Sequence, residues 1–297
     1  MGQALHDAFA SAREVFQEVD DALDTRLSRI IFEGPEDDLT LTENAQPALM
    51  ATSLAVVRVL ESEAGVKPAD AAAFVAGHSL GEYSALAAAG SLTLADTARL
   101  LRRRGQAMQA AVPVGEGAMA AVLGLDLDDV AEAAEAASAD GVCQVANDNA
   151  PGQVVLSGAV AAVERAVELV KEKGAKRAMP LPVSAPFHCS MLAPAAEVMA
   201  EALEEVTIVA PQPSWIANVA AEPISEPARI RTALVEQVTA TVRWRESVLF
   251  MKQHDVDTLV ELGAGQVLSR LAKRIDRDVS GISVLSPDDI ESFAKSL

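Results

Sequence analysis

Cysteine, histidine and positive charge are all scarce in this chain, and each scarcity closes off a class of function. The two cysteines, Cys143 and Cys189, lie far apart in 297 residues. They build no disulfide framework and have no metal-ligand spacing, so no zinc site is expected and the setting read from them is a reducing cytoplasm. Lysine and arginine number 24 against 43 aspartates and glutamates, a formal charge of −19. Such a surface repels phosphate backbones and anionic lipid, which argues against nucleic-acid or membrane partners. No apolar run approaches the ~20 residues of a membrane span. The opening "MGQALHDAFASAREVF" is acidic and amphipathic, unlike a secretory signal. Half of the residues are hydrophobic, enough to bury a large core as one domain with an insertion or as two domains.

Periodicity supplies the organisation. Leu5, Phe9, Val15, Phe16, Val19 and Leu23 recur at helical spacing, predicting a helix over 3–24. Pro47 suits a first turn, where its missing amide has no partner, so Gln46-Pro47 is expected to open a second helix. "AAAFVAG" reads as a buried strand, "EYSALAAAG" as the helix after it, and a long helix is expected over about 93–111. Between 117 and 183 the order is strand, helix, strand, turn "APG", strand, helix, strand. That βαββαβ succession is the ferredoxin-like arrangement. The chain is therefore divided into a body, 1–114 and 184–297, and an inserted subdomain, 115–183. In the body, strands separated by helices predict an α/β fold with a mostly parallel sheet.

Gly77-His78-Ser79-Leu80-Gly81 has the pattern of a nucleophile elbow, with an apolar strand before it and a helix after. In that context the backbone amide of Leu80 and the helix N-terminus can face a developing oxyanion. The plainer alternative is a glycine-rich turn with a capping serine. A serine hydroxyl needs a base, and the chain has four histidines. His6 lies on a polar helix face, His254 sits in the charged "KQHDVD", and His78 belongs to the elbow and points away from the serine by strand alternation. His188, in the loop "LPVSAPFHCSML", is the best available partner for Ser79.

The segments "GHSLGEYSALAAAG", "RRRGQAMQAAVPVGEGAMAAVLGL", "NDNAPGQVVLSG", "PVSAPFHCSML" and "LVELGAGQVLSRLAKRI", in this order, closely resemble the bacterial malonyl-CoA:acyl carrier protein transacylases. The resemblance covers essentially the whole chain. It implies a hydrolase-like α/β body with a ferredoxin-like insertion, and assigns Ser79 as the acylated nucleophile and His188 as its base. It further implies that the main-chain carbonyl of Gln237 orients the histidine in place of an aspartate, that Arg104 grips the free carboxylate of the substrate, that Gln46 lines the site, and that Phe187 is the bulky residue that disfavours a methyl branch. Arg102 and Arg103 are expected on a solvated face or as carrier contacts. The activity implied is ping-pong transfer of malonyl from malonyl-CoA, through a malonyl-serine ester, to the phosphopantetheine thiol of holo acyl carrier protein. No cofactor is implied, and a monomer is expected.

Acyl carrier proteins are strongly acidic, so a chain of this charge must present a local basic patch to them. Lys171, Lys173, Lys176 and Arg177, or Arg270, Lys273 and Arg274, could form it. In one respect the sequence departs from the family pattern. Members begin with a buried strand and a "PGQGSQ"-like turn, and neither precedes the first helix here, so the first strand is expected to be missing and a start codon further upstream is expected. The alternatives carried forward are an acyltransferase of other acyl specificity serving polyketide assembly, a serine thioesterase or hydrolase, and a truncated, non-catalytic carrier-binding protein.

Overall fold

The computed structural model describes residues 1–183 and 185–297. The expected domain boundary at 183/184 meets Ser184, which lies outside the described residues. The strands are β1 (Phe74–Ala76), β2 (Gly117–Leu123), β3 (Cys143–Ala150), β4 (Gln153–Ala159), β5 (Arg177–Pro180), β6 (Ser214–Ile216), β7 (Pro223–Ile224), β8 (Thr258–Leu262) and β9 (Ser280–Val284). In the body, β1 pairs parallel with β6, which pairs antiparallel with β7, while β8 pairs parallel with β9. The insertion forms an antiparallel sheet of order β3-β4-β2-β5. With the helices Leu127–Ala137 and Val160–Glu172 packed on it, this is the ferredoxin-like βαββαβ unit expected from the sequence.

Each part has its own apolar core. In the insertion, Val122, Val130, Leu156, Val163 and Val170 are buried together. In the body, Phe16, Leu54, Leu86, Leu101 and Trp215 belong to one large cluster. A run of bonds from β3 stitches the two parts together. Asp148 N–H donates to Val242 O at 3.0 Å, Val242 N–H to Ala146 O at 2.8 Å, and Thr241 Oγ1 to Val145 O at 2.6 Å. Arg245 Nε reaches both carboxylate oxygens of Asp148, at 3.0 and 2.8 Å. The β3–β4 register shifts between Val145 and Asn147 and again between Asp148 and Ala150, interrupting the ladder in the stretch that bonds to the body.

Local signals misplaced some helix limits. The expected 3–24 helix is two helices, Gln3–Ala8 and Ala10–Leu23, parted by extended backbone at Phe9. Pro47 does not open its helix; Thr42–Ala64 begins a turn earlier and carries Pro47 inside it. That early turn packs where Gly105 leaves no side chain: a Cβ on Gly105 would stand 2.5 Å from Glu43 Cα. Tertiary contact thus outweighs the one backbone bond that proline forfeits. The strand β9 and the helix Pro287–Ala294, with its Ser286 cap, were not anticipated. Among the described residues no helix is long and apolar enough to cross a membrane.

Candidate active site

The site is built where β1 turns into the helix Gly81–Ala88. Ser79 adopts φ 53°, a left-handed conformation costly for a residue with a side chain. The turn can close this tightly because Gly77 has none: a Cβ there would lie 1.9 Å from Gly81 O. Gly81, the other glycine of the motif, has open space at that position. Bonds from the N–H groups of Gly81, Glu82 and Tyr83 to the carbonyls of His78, Ser79 and Leu80 close the first turn. The Leu80 N–H enters none of these bonds and stands among the donors that a helix N-terminus leaves without a backbone partner.

His188 also has positive φ, 59°, and is only 4% exposed. Its Nδ1 lies 2.9 Å from Gln237 O. A carbonyl only accepts, so Nδ1 carries the proton and bare Nε2 accepts from Ser79 Oγ at 2.8 Å. Burial is the main cause, with the Arg104 charge next, that pushes this imidazole down to about 3, while the Gln237 carbonyl opposes the shift. The ring is held neutral, the form able to take the serine proton.

Arg104, 1% exposed, comes from the helix Leu94–Ala111. Its Nη1 donates to Gln46 Oε1 at 2.7 Å, and its Nη2 to Gln237 Oε1 at 2.8 Å and Ser79 Oγ at 3.1 Å. A guanidinium therefore stands directly beside the serine oxygen. Gln46 is fixed in turn by its Nε2, which donates to Thr42 Oγ1 at 2.8 Å. Phe187 packs with Leu181 against the buried trio Met119, Ala146 and Val155, and also against the large core of the body. A cleft of ≈ 520 Å³ reaches His188 between Ala134 and Gln144 of the insertion and Thr239–Thr241 of the body. A second hollow, of ≈ 560 Å³ among His6, Arg13, Phe16 and Ser28, holds none of these groups.

Ser79, His188, Arg104, Gln46 and the Gln237 carbonyl thus converge, with Leu80 in the turn and Phe187 next to the histidine. The remaining histidines are engaged elsewhere. His78 Nε2 meets Asn149 Oδ1 at 2.8 Å, His254 stacks on Phe250, and His6 packs on Phe32. Of the arginines expected on a solvated face, Arg102 reaches Asn44 Oδ1 at 2.7 Å and Arg103 pairs with Glu205.

Two residues were missed. Asn218 accepts the Ser79 N–H on Oδ1 and donates from Nδ2 to Gly77 O, both at 2.8 Å. Glu82, 1% exposed, accepts from Asn218 N at 2.6 Å and from Gln237 Nε2 at 2.7 Å. Burial pushes its carboxyl up to about 8, against the pull of Asn218, Gln237 and Arg104. The available signal for Asn218 was its place just beyond β6, the parallel neighbour of the strand that feeds the elbow.

The model of the acyl transferase domain family matches residues 1–286. The malonyl CoA-acyl carrier protein transacylase of Bacillus subtilis (strain 168) is 45% identical over 298 residues, covering 100% of this chain and 92% of the relative. The crystal structure of acyl-carrier-protein-S-malonyltransferase from Bartonella henselae superposes with TM-score 0.97 at 55% identity, over 100% of this chain and 94% of that one. A malonyl-transacylase solved in complex with its holo type II PKS acyl-carrier protein superposes with TM-score 0.96 at 39% identity, over 100% of this chain and 95% of that one.

Proposed function

The chain belongs to the acyl transferase family, among the bacterial malonyl-CoA:acyl carrier protein transacylases, and on that premise we propose how its residues divide the reaction. The enzyme transfers malonyl from malonyl-CoA to the phosphopantetheine thiol of acyl carrier protein in fatty-acid biosynthesis. In this reading β1, β6, β8 and β9 form the parallel framework of a hydrolase-like body, and the nucleophile sits on the turn that leaves β1.

Malonyl-CoA enters with its carboxylate on Arg104. The carboxylate takes over the Nη2 hydrogen that otherwise points at Ser79 Oγ, which frees a serine lone pair for attack on the thioester carbonyl. His188 Nε2 accepts the serine proton, the Leu80 amide faces the oxyanion, and CoA leaves as its thiol, taking that proton from His188, as the malonyl-serine ester forms. The carrier thiol then gives its proton to His188 and attacks the ester carbonyl, and the serine oxygen leaves by taking that proton back from His188. The Gln237 carbonyl keeps the ring in the required tautomer at both steps, as a carboxylate does in serine hydrolases. Phe187 crowds the wall against a methyl branch.

For the carrier, the helix Val267–Ile275 is the better of the two basic candidates. In the insertion, Lys171, Lys176 and Arg177 form no ion pair among the described residues, but Lys173 is held by Asp129 and Glu132. On the helix, Lys273 and Arg274 form no ion pair among the described residues, and Val267 at its start is 65% exposed.

One observation carries the reading, the Arg104 guanidinium 3.1 Å from the serine oxygen. A thioesterase acting on water needs no buried cation there, whereas a malonyl carboxylate does. The test is transfer to holo acyl carrier protein by Arg104→Gln. A charge-assisted hydrogen bond is worth about 1.5–3 kcal/mol, so losing the one that Nη2 gives the carboxylate predicts a fall of at least about tenfold with malonyl-CoA. Acetyl-CoA, which lacks the carboxylate, should lose far less. Equal losses with both would reject the assignment.

A further inference from the structure

We propose that Glu82 is a positioning residue that sets the hydrogen-bond polarity of Gln237 and, through it, holds Ser79 and Arg104 in their working arrangement. The inference rests on Arg104 being the malonyl clamp.

The peptide of the nucleophile is gripped from both sides. Asn218 Oδ1 takes its N–H at 2.8 Å, and Gln237 Nε2 donates to its C=O at 2.8 Å. These grips hold a serine whose backbone is in the left-handed region, where an unsupported turn would relax. Both gripping residues are anchored on one carboxyl group, the Asn218 backbone N–H on Glu82 Oε1 and Gln237 Nε2 on Glu82 Oε2. Each Glu82 oxygen therefore faces a donor, an arrangement that favours the ionised carboxylate and, with the Arg104 charge, opposes the burial that pushes the group up.

An amide has one donor end and one acceptor end, and its orientation is fixed only by its neighbours. Gln237 spends its two Nε2 hydrogens on Ser79 O and Glu82, which turns Oε1 toward Arg104 Nη2 at 2.8 Å. The main-chain carbonyl of the same residue holds His188. Nucleophile, base and clamp thus all meet Gln237, and Glu82 is the acceptor that keeps its amide from turning over.

The substitution Glu82→Gln preserves the shape of the side chain and removes this property. The Asn218 donor is a backbone N–H and cannot reverse, so the new side-chain amide must give it the oxygen and present its own NH₂ to Gln237 Nε2. Two donors then face each other. Gln237 must either move away or turn over, and turning over sets its oxygen against Ser79 O and its nitrogen against Arg104.

The experiment measures acylation of Ser79 by malonyl-CoA and by acetyl-CoA, with thermal unfolding alongside, in the parent, Glu82→Gln, Gln237→Leu and the double variant. Gln237→Leu keeps the main-chain carbonyl and deletes the amide. The expected result is a malonyl-over-acetyl preference reduced about tenfold in each single variant, the scale of one hydrogen bond to a charge. Adding Glu82→Gln to Gln237→Leu should change the preference by less than about twofold, as expected when one residue acts through the other. A residue needed only for folding would lower both rates together and leave the preference intact. Parental preference in Glu82→Gln, or multiplying losses in the double variant, would overturn the proposal. If Glu82→Gln fails to fold, Gln237→Leu decides alone, and preference retained there overturns it too. A parent with no malonyl preference would instead overturn the reading of Arg104 itself.

Discussion

The proposed base, His188, sits in surroundings that resist charging it. Burial and the Arg104 guanidinium push its pKa down to about 3 from an ordinary 6.5. The ring is then neutral well below the usual histidine range, and the rate of Ser79 acylation should show no inflection near 6.5. A profile flat in this limb between pH 8 and 5, by rapid-quench measurement with malonyl-CoA, is the expected outcome; an inflection near 6.5 would contradict it. The sign for stability follows from the same shift. Between about 6.5 and 3 the unfolded chain takes up a proton that the buried ring refuses, so the contribution of this residue to stability falls as pH falls through that window. At this scale the sequence was unevenly legible. Ser79 was readable because an elbow is a local pattern, and His188 because few histidines competed. Arg104, Gln46 and Gln237 came from the family resemblance, since a helical arginine or glutamine has no local mark of burial. Glu82 was invisible although it lies within the motif. An acidic residue in a first helical turn is ordinary, and its burial depends on Asn218 and Gln237, which lie 136 and 155 residues away.

The strand-to-helix turn makes unequal demands on its two glycines. Gly77→Ala places a Cβ 1.9 Å from Gly81 O, a backbone atom. The helix would have to shift, and the expected loss is at least the roughly 1–3 kcal/mol typical of overpacking. Gly81→Ala meets nothing within 4 Å and should be neutral or stabilising by up to about 1 kcal/mol, because alanine is the better helix former. Thermal unfolding of the two variants checks this, and equal destabilisation would contradict it. Most elements were legible because their periodicity is strong, as in the ferredoxin-like insertion. The exceptions have physical reasons. Phe9 breaks a helix whose apolar spacing continues across the break, Pro47 yields to close helix packing at Gly105, and β9 is exposed over its first three residues and lacks alternation.

For the molecule as a whole, the surface must reconcile a net charge of −19 with an acidic carrier. If the helix Val267–Ile275 receives the carrier, Lys273→Glu with Arg274→Glu should raise KM for holo acyl carrier protein about tenfold at low salt, with kinetics toward malonyl-CoA unchanged. Reversing Lys171 and Lys176 on the insertion should do little; the opposite ranking would move the docking surface there. The insertion core could be read from its own sequence. The bonds that fasten it to the body could not, because they join β3 to Thr241, Val242 and Arg245, about a hundred residues downstream.

In the proposed reaction Ser79 carries the malonyl group, selected by the carboxylate that Arg104 binds. Intact mass of the chain after brief exposure to malonyl-CoA or acetyl-CoA, with peptide mapping and Ser79→Ala as control, tests it most directly. The expected result is one malonyl adduct, located on Ser79, absent from Ser79→Ala and far exceeding any acetyl adduct. An adduct on another residue, or equal labelling by the two thioesters, would contradict it.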